Sequence, residues 1–589
     1  MTFTKDSHKL GKMSSSLIVF IGIACLFILL VKTKIHPSLL FASFLFLFFL
    51  LNYIKVEEML NNFVNPSLVS LILLLILAQV INKTFLHDSL SRLLTKNKSL
   101  SPTIFRLGLL AGSLSAFINN TAVVASFLAP VKTNRRFPPS KLLIPLSYSA
   151  ILGGTVTLIG TSTNLIVNSF VIAAGLPSLR IFDFIYIGIP LLLAGVLYLS
   201  LGAHRLLPAI KEKKAPPSRF FLEARVLPGS RHCGKTVQEN NFRNLESLFL
   251  AEIIRHGKLI SPVTPDEIIG EGDILVFVGE INRLKDIEKF HRIQVFEEEN
   301  WKILEKNLVE AIISHNSTLI GKSIKEVNFR ARFDAVAVAV KRGEQKLSGK
   351  IGSIKLQPGD SLVLAAGHDF GTKEDLKNHF YFINPLPLIK KLNTTQSFVA
   401  IGLFLGAIIS TTVGIIPLVK SLMIVLFLYF ILGFLTLEEI KENLHLELII
   451  LIGSAIGIAE IMIRSGAAQQ VAQVIMSIFN PLGTWGSLVG VFLLTQLMTL
   501  FITNNATAAL SFPIGYTTAL SLGVNPLPFI MAVAYGASGN FLTPYSYQTN
   551  LMVYGPGHYR FHHYLQTGLP LAVIYGIITC GLIPFFFPF

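Results

Sequence analysis

Charge is what this sequence has least of. Asp, Glu, Lys and Arg together make up 14% of 589 residues, against 52% hydrophobic residues and a mean hydropathy of +0.61. That balance excludes an ordinary soluble chain and points to a membrane protein. Cysteine is also scarce: Cys25, Cys233 and Cys580 have no CxxC spacing, which excludes a disulfide framework and a thiolate zinc site. No activated nucleophile, metal cluster or phosphate loop stands in a suitable context, so the chain is not read as an enzyme and no cofactor is expected.

What the sequence does have is apolar segments at or near spanning length. They are Ser16–Val31, Pro37–Tyr53, Pro66–Ile81, Tyr186–Leu201, Phe398–Pro417, Met423–Leu435, Leu446–Ile463, Leu488–Phe501 and Leu569–Phe587. The first follows Lys9 and Lys12 as a signal peptide would, but lacks a small-residue cleavage pattern and reads as a retained helix. The net charge of +16 sits beside apolar segments, at Lys96–Lys98, Lys132–Lys141 and His204–Lys214. In a membrane protein that bias marks cytoplasmic loops, not a nucleic-acid surface. Adjacent His562 and His563 are poorly placed to share one metal on a helix and read as loop or interfacial residues.

Internal repetition organises the chain. Asn119-Asn120-Thr121, Thr163-Asn164-Leu165 and Gly188-Ile189-Pro190-Leu191 return as Asn504-Asn505-Ala506, Thr549-Asn550-Leu551 and Gly568-Leu569-Pro570-Leu571. Asn120 to Asn164 is a step of 44 and Asn505 to Asn550 a step of 45, and Glu57-Glu58 is echoed by Glu438-Glu439. About three spans precede each Asn-Asn motif and two follow it, with the motif in a stretch that enters the membrane and returns. An odd number of crossings inverts the second copy, and inverted repeats place sites near the midplane at broken helices. The scheme puts the N-terminus outside, against the hint of Lys5, Lys9 and Lys12.

Between the halves the character changes to charged, β-rich sequence at Asp273–Gly279, Asp334–Val340 and Ser361–Ala366. This insert is itself duplicated: Gly234-Lys235, Phe242-Arg243 and Gly272-Asp273 match Gly321-Lys322, Phe329-Arg330 and Gly359-Asp360. Each copy reads as a small α+β module in which a Gly-Asp turn feeds a final buried strand. Lys211–Ser218 and Asn384–Pro387 are linkers. The expected divisions are 1–211 and 384–589 for the transmembrane repeats, with modules at 212–297 and 298–383. The fold class is thus an all-α polytopic membrane protein of two inverted repeats with re-entrant hairpins, carrying a soluble α+β insert on the cytoplasmic side.

Asn, Thr, Ser and Gly within apolar sequence break helices and offer neutral oxygens suited to a dehydrated sodium ion, and the same breaks expose helix N-termini suited to an anion. Candidate substrate-binding residues are Asn119, Asn120, Thr121, Thr161, Ser162, Thr163, Asn164, Asn504, Asn505, Thr507, Thr549 and Asn550, joined by Ser538 to Asn540. Asn120, Asn164, Asn505 and Asn550 are candidate sodium ligands. The competing reading, helices glued by polar side chains, fits any one of these residues but not a constellation repeated at matched spacing. The motif segments contain no Asp or Glu, which fits sodium coupling to an anion better than proton transfer. Glu460 and Arg464 read as a local i,i+4 pair, and Asp183 marks the start of a span.

The runs Ala116-Phe-Ile-Asn-Asn-Thr-Ala-Val-Val, Lys141-Leu-Leu-Ile-Pro-Leu-Ser-Tyr-Ser-Ala-Ile-Leu-Gly-Gly-Thr, Leu158-Ile-Gly-Thr-Ser-Thr-Asn-Leu and Ile502-Thr-Asn-Asn-Ala resemble the divalent anion/sodium symporter permeases. The insert resembles two TrkA-C (RCK C-terminal) domains, an arrangement of a sulfate-transporter-like branch. The resemblance implies inverted repeats, a homodimer, elevator-type alternating access and a bacterial inner membrane. It also implies Ser-Asn-Thr tips that hold sodium and the substrate's acidic groups. Here a serine is replaced at both tips and a threonine is lost at Ala506, which turns the expectation from a dicarboxylate to sulfate or another small inorganic oxyanion.

Other readings stay open: a cation or proton-coupled transporter, a dicarboxylate transporter, or a membrane sensor. The insert lacks a dinucleotide fingerprint but leaves room for a small regulatory ligand.

Overall fold

The computed structural model describes residues 3–33, 35–64, 66–84, 99–132, 134, 136–210, 221–242, 248–256, 258–260, 263–279, 292–296, 308–314, 317–342, 345–347, 351–366, 370, 376–382, 392–442, 446–545 and 547–589. Both predicted linkers and the basic cluster at 96–98 lie outside them.

The first half forms α1 (Phe3–Lys32), α2 (Pro37–Leu50), α3 (Val56–Asn61), α4 (Pro66–Asn82), α5 (Leu100–Ser115), α6 (Asn120–Lys132), α7 (Leu143–Gly154), α8 (Ser162–Ala173) and α9 (Ile185–Tyr198). The second forms α10 (Thr394–Thr412), α11 (Leu418–Ile431), α12 (Leu437–Glu442), α13 (Leu446–Ser465), α14 (Ala467–Phe479), α15 (Gly483–Met498), α16 (Asn504–Leu522), α17 (Leu527–Ser538), α18 (Gln548–Tyr554) and α19 (Phe561–Phe586). Among the described residues, five helices are long and apolar enough to cross a membrane: Val56–Ile81, Ile185–Gly202, Thr394–Thr412, Leu446–Ser465 and Phe561–Phe586. A further pair, α14 and α15, qualifies jointly but is bent by 120°. The 13-residue α6 and the 12-residue α7 and α8 each span only about 20 Å at 1.5 Å per residue, short of a ~30 Å hydrocarbon layer.

Sorting by burial shows which helices surround which. Every residue of α7 is buried, as are nearly all of α8 and α17, although they carry Ser, Thr and Asn. Phe398, Ile409, Phe427 and Ile431 of α10 and α11 point outward, as suits side chains facing lipid. The short, polar-bearing helices are therefore the interior, and each half contributes to it.

Two features of the helices depart from the sequence reading. Arg464 bonds Glu58 of the other half at 2.9 Å, and Glu460 accepts from Asn62 at 3.4 Å, so they are not principally partners of each other. His562 and His563 sit in the first turn of α19, not in a loop, and buried His563 accepts from the Arg560 amide at 3.0 Å.

Among the described residues the insert holds ten strands: β1 (Phe221–Val226), β2 (Leu248–Arg255), β3 (Lys258–Ile260), β4 (Ile274–Gly279), β5 (Ile293–Phe296), β6 (Leu308–Ile313), β7 (Ala335–Arg342), β8 (Gln345–Leu347), β9 (Ser361–Ala366) and β10 (Phe380–Phe382). They make two antiparallel sheets, β3-β2-β4-β1-β5 and β10-β6-β9-β7-β8, the second being the first read backwards. The bulges match at Leu250/Glu252 and Ala337/Ala339. So do the ion pairs: Arg255 grips Asp273 at 2.9 and 2.8 Å, and Arg342 grips Asp360 at 2.7 and 2.8 Å. Each Gly-Asp turn does feed a buried strand, β4 or β9, but that strand is central and not final, since β5 and β10 follow it.

Candidate functional site

Asn120 and Asn504 begin their helices, and each does so in the same way. Ser115 donates its hydroxyl to Asn120 Oδ1 at 2.6 Å, and Thr499 donates to Asn504 Oδ1 at 3.0 Å, both across five residues. Capping side chains precede each start: Asn119 Oδ1 accepts from Thr121 N at 2.9 Å, and the Thr503 hydroxyl accepts from Ala506 N at 3.4 Å. The hydrogen bonds thus make Asn120 the counterpart of Asn504 and Thr121 that of Asn505, one residue out of step with the register suggested by the paired asparagines.

The second motif repeats its geometry too. Asn164 donates to Thr157 O at 2.9 Å, and Asn550 donates to Thr543 O at 3.3 Å, each seven residues back. In both cases an amide satisfies a carbonyl freed where the helix breaks, which is what lets irregular backbone persist in an apolar interior.

The motifs then meet across the halves, not within them. Ser162 and Thr163 donate to Asn505 Oδ1 at 3.1 and 3.5 Å. Reciprocally, Asn120 donates to the Tyr547 hydroxyl at 2.6 Å and Thr121 to Gln548 Oε1 at 2.8 Å. Ser147 of α7 donates at 2.9 Å to Thr549 and at 2.7 Å to Asn550 Oδ1. Close approach at Gly154 permits this packing: a Cβ there would lie 2.4 Å from Asn120 Oδ1.

Tyr547, Gln548 and Ser147 were not singled out by sequence. The first two had a signal, since aligning the Thr-Asn-Leu motifs sets Tyr547-Gln548 against Thr161-Ser162. Buried tyrosines from both halves surround the break in the second half. Tyr564 donates to Asn550 O at 2.8 Å and Tyr148 to Phe541 O at 2.6 Å, holding the broken segment by its carbonyls.

Two places have chemistry to spare. A small cavity of ≈ 30 Å³ is lined on one side by Asn119, Gly160, Thr161 and Ser162 and on the other by apolar Leu71, Leu74, Leu75, Ala78 and Phe404. Its polar wall is the N-terminus of the 12-residue α8, where free amides and the positive dipole end favour an anion. In the other half, fully buried Asn540 donates to Thr499 O at 2.5 Å while its Oδ1 has no hydrogen-bond partner. An orphaned buried amide oxygen of this kind has the character of a cation ligand. Of the four asparagines expected to ligate sodium, Asn120, Asn505 and Asn550 each have Oδ1 engaged by a hydroxyl. Thr507 is fully buried in α16, its hydroxyl unpartnered. Among the described residues no three His, Cys, Asp or Glu side chains gather as a metal site. Asp183 accepts from Arg180 N at 2.7 Å, in the turn ahead of α9.

Comparison with known proteins gives consistent results. The citrate transporter family profile matches residues 25–536 and, separately, 408–589. A protein of Chlamydomonas reinhardtii named as a regulator of the response to sulfur deprivation is 30% identical over 567 residues, covering 91% of this chain and 95% of its own. An uncharacterized transporter of Synechocystis sp. is 30% identical over 554 residues, 90% of each chain. Sodium/sulfate cotransporter 1 of Chlamydomonas reinhardtii is 26% identical over 391 residues, 64% of this chain and 44% of that protein.

Proposed function

The chain belongs to the citrate transporter family, and on that premise we propose that it carries a small divalent oxyanion, sulfate foremost, together with sodium. It is an integral membrane transporter and not an enzyme; the substrate and coupling ion are our reading. The observation that carries it is the crosswise assembly of Asn120, Thr121, Ser162, Thr163, Asn505, Tyr547 and Gln548, a polar centre in the described residues built from both halves and free of carboxylates.

The cavity at the N-terminus of α8 places free amides and the positive dipole end where an anion would be favoured. The Asn540 oxygen supplies a place for sodium. Three relatives named as sodium/sulfate cotransporters, at 25–26% identity over part of the chain, favour the same ion pair. On this reading the halves are inverted repeats that move the site across the bilayer within a homodimer, and the insert is a TrkA-C-like pair on the cytoplasmic side of a bacterial inner membrane.

The test is uptake of labelled sulfate into proteoliposomes with and without an inward sodium gradient. Gradient-driven uptake lost in Asn505→Ala supports the proposal; equal uptake without sodium removes the coupling, and no sulfate uptake removes the substrate. A second reading, a sensor of sulfur status, is favoured by the name of one relative over 91% of the chain. Sulfate binding by the purified chain without any flux would select it.

A further inference from the structure

The two insert modules share one fold but not one environment. Each has a core cluster of its own, around Val226, Phe242 and Phe277 in the first and around Ala311, Phe329 and Leu364 in the second. The second reaches into the transmembrane part: buried Ile312 of β6 belongs to the same apolar cluster as the transmembrane helices, and Tyr381 packs against it.

The places it touches are two of the helices that build the site. Lys132 is the last residue of α6, whose first is Asn120, and it forms an ion pair with Glu310 of β6; the side chains are only 14% and 21% exposed. The other oxygen of Glu310 accepts from Ser361 at 3.3 Å, which fixes the carboxylate. The second contact is at Gly359, whose φ of +80° and closeness to α18 both require glycine: a Cβ there would lie 2.6 Å from Leu551 Cδ1. Leu551 directly follows Asn550. One sheet thus bears on α6 and on α18, the helices joined at their N-terminal ends by Asn120 to Tyr547 and Thr121 to Gln548.

We propose that the second module is a positioning element for the transport site, holding α6 and α18 in register through Glu310–Lys132 and Gly359–Leu551. This rests on the reading that those helices carry the substrate. Glu310 and Lys132 are then positioning residues: they touch no substrate, yet their separation loosens the contacts of Asn120 and Thr121 with the other half.

The test uses the full chain in proteoliposomes, with Glu310→Gln, Glu310→Lys, Lys132→Glu and the exchanged pair. The single variants should raise KM for the anion about fivefold with little change in maximal rate. The exchanged pair should restore KM, which a merely structural role would not produce at an unchanged melting temperature. Wild-type KM in Glu310→Gln and Glu310→Lys overturns the proposal.

A second arm needs no transport. With Cys25, Cys233 and Cys580 replaced by serine, Thr121→Cys and Gln548→Cys are joined by a short thiol cross-linker in membranes. Glu310→Lys should lower the yield and the exchanged pair should recover it. An unchanged yield overturns the proposal even if the chain carries a different substrate.

Discussion

Glu58 of the first half is bonded to Arg464 of the second at 2.9 Å, and Glu439 of the second to Lys83 of the first at 2.5 Å, with the halves exchanged. The steps from 58 to 439 and from 83 to 464 are both 381, so the two bridges are one interaction written twice. They differ in surroundings. Lys83 is 12% exposed and also donates to Phe434 O at 2.9 Å, whereas Arg464 is 55% exposed. Arg464→Met should therefore cost about 0–1 kcal/mol, as for a surface pair, and Lys83→Met about 1–3 kcal/mol, since it removes both the bond to Phe434 O and the ion pair with Glu439. Thermal unfolding in detergent measures the difference.

Tyr547→Phe removes the oxygen that accepts from buried Asn120. Loss of one such partner costs about 1–3 kcal/mol, and sulfate uptake should fall roughly tenfold or more with expression unchanged. Initial rates in proteoliposomes check it.

Gly154→Ala sets a methyl group 2.4 Å from Asn120 Oδ1 and should abolish uptake. Gly581→Ala, in the helix α19 with nothing within 4 Å, should leave it intact. Measuring the two side by side separates a steric effect at the site from a general intolerance of helix glycines.

Asn540→Ala removes the unpartnered oxygen near Thr499. The sodium concentration for half-maximal uptake should rise about tenfold, with a smaller change in the concentration dependence on sulfate, as expected for loss of one ligand worth ~1.4 kcal/mol. A sodium titration at saturating sulfate decides it.

Asp360→Asn breaks the two-point grip on Arg342, whose guanidinium the bond to Asp360 holds above its ordinary range. The second module should lose about 3 kcal/mol, and uptake should fall with it. Asp273→Asn, the counterpart in the first module, should cost that module as much while leaving uptake near wild type. Limited proteolysis alongside uptake reads both effects.

Much of this was legible before any coordinates. Asn-Asn and Thr-Asn-Leu at steps of 44 and 45 marked the breaks, because only polar or small residues survive where apolar helices are interrupted. Three strands of the insert, β4, β7 and β9, followed from its β-rich runs. Partnership was not legible. Residue type says that Asn505 needs a donor, but not that Ser162, 343 positions away, supplies it. The one-residue slip between Asn120 and Asn504 was hidden because two adjacent asparagines make either register look equal. Glu460 and Arg464 stand at helical spacing, yet each finds a better partner in the other half. Tyr547 escaped because a ring hydroxyl can stand where a threonine stands in the first copy.

The gripping turn of the second module has a twin. Gly272 in the first module occupies the place of Gly359, with a φ of +78° against +80°, but nothing lies within 4 Å of where its Cβ would be. Duplication therefore left one chain with two copies of the same latch and a single keeper. Inheritance should treat them unequally: a side chain able to adopt positive φ, such as asparagine, can settle at 272 across descendants, whereas position 359 has no such liberty while Leu551 stands against it.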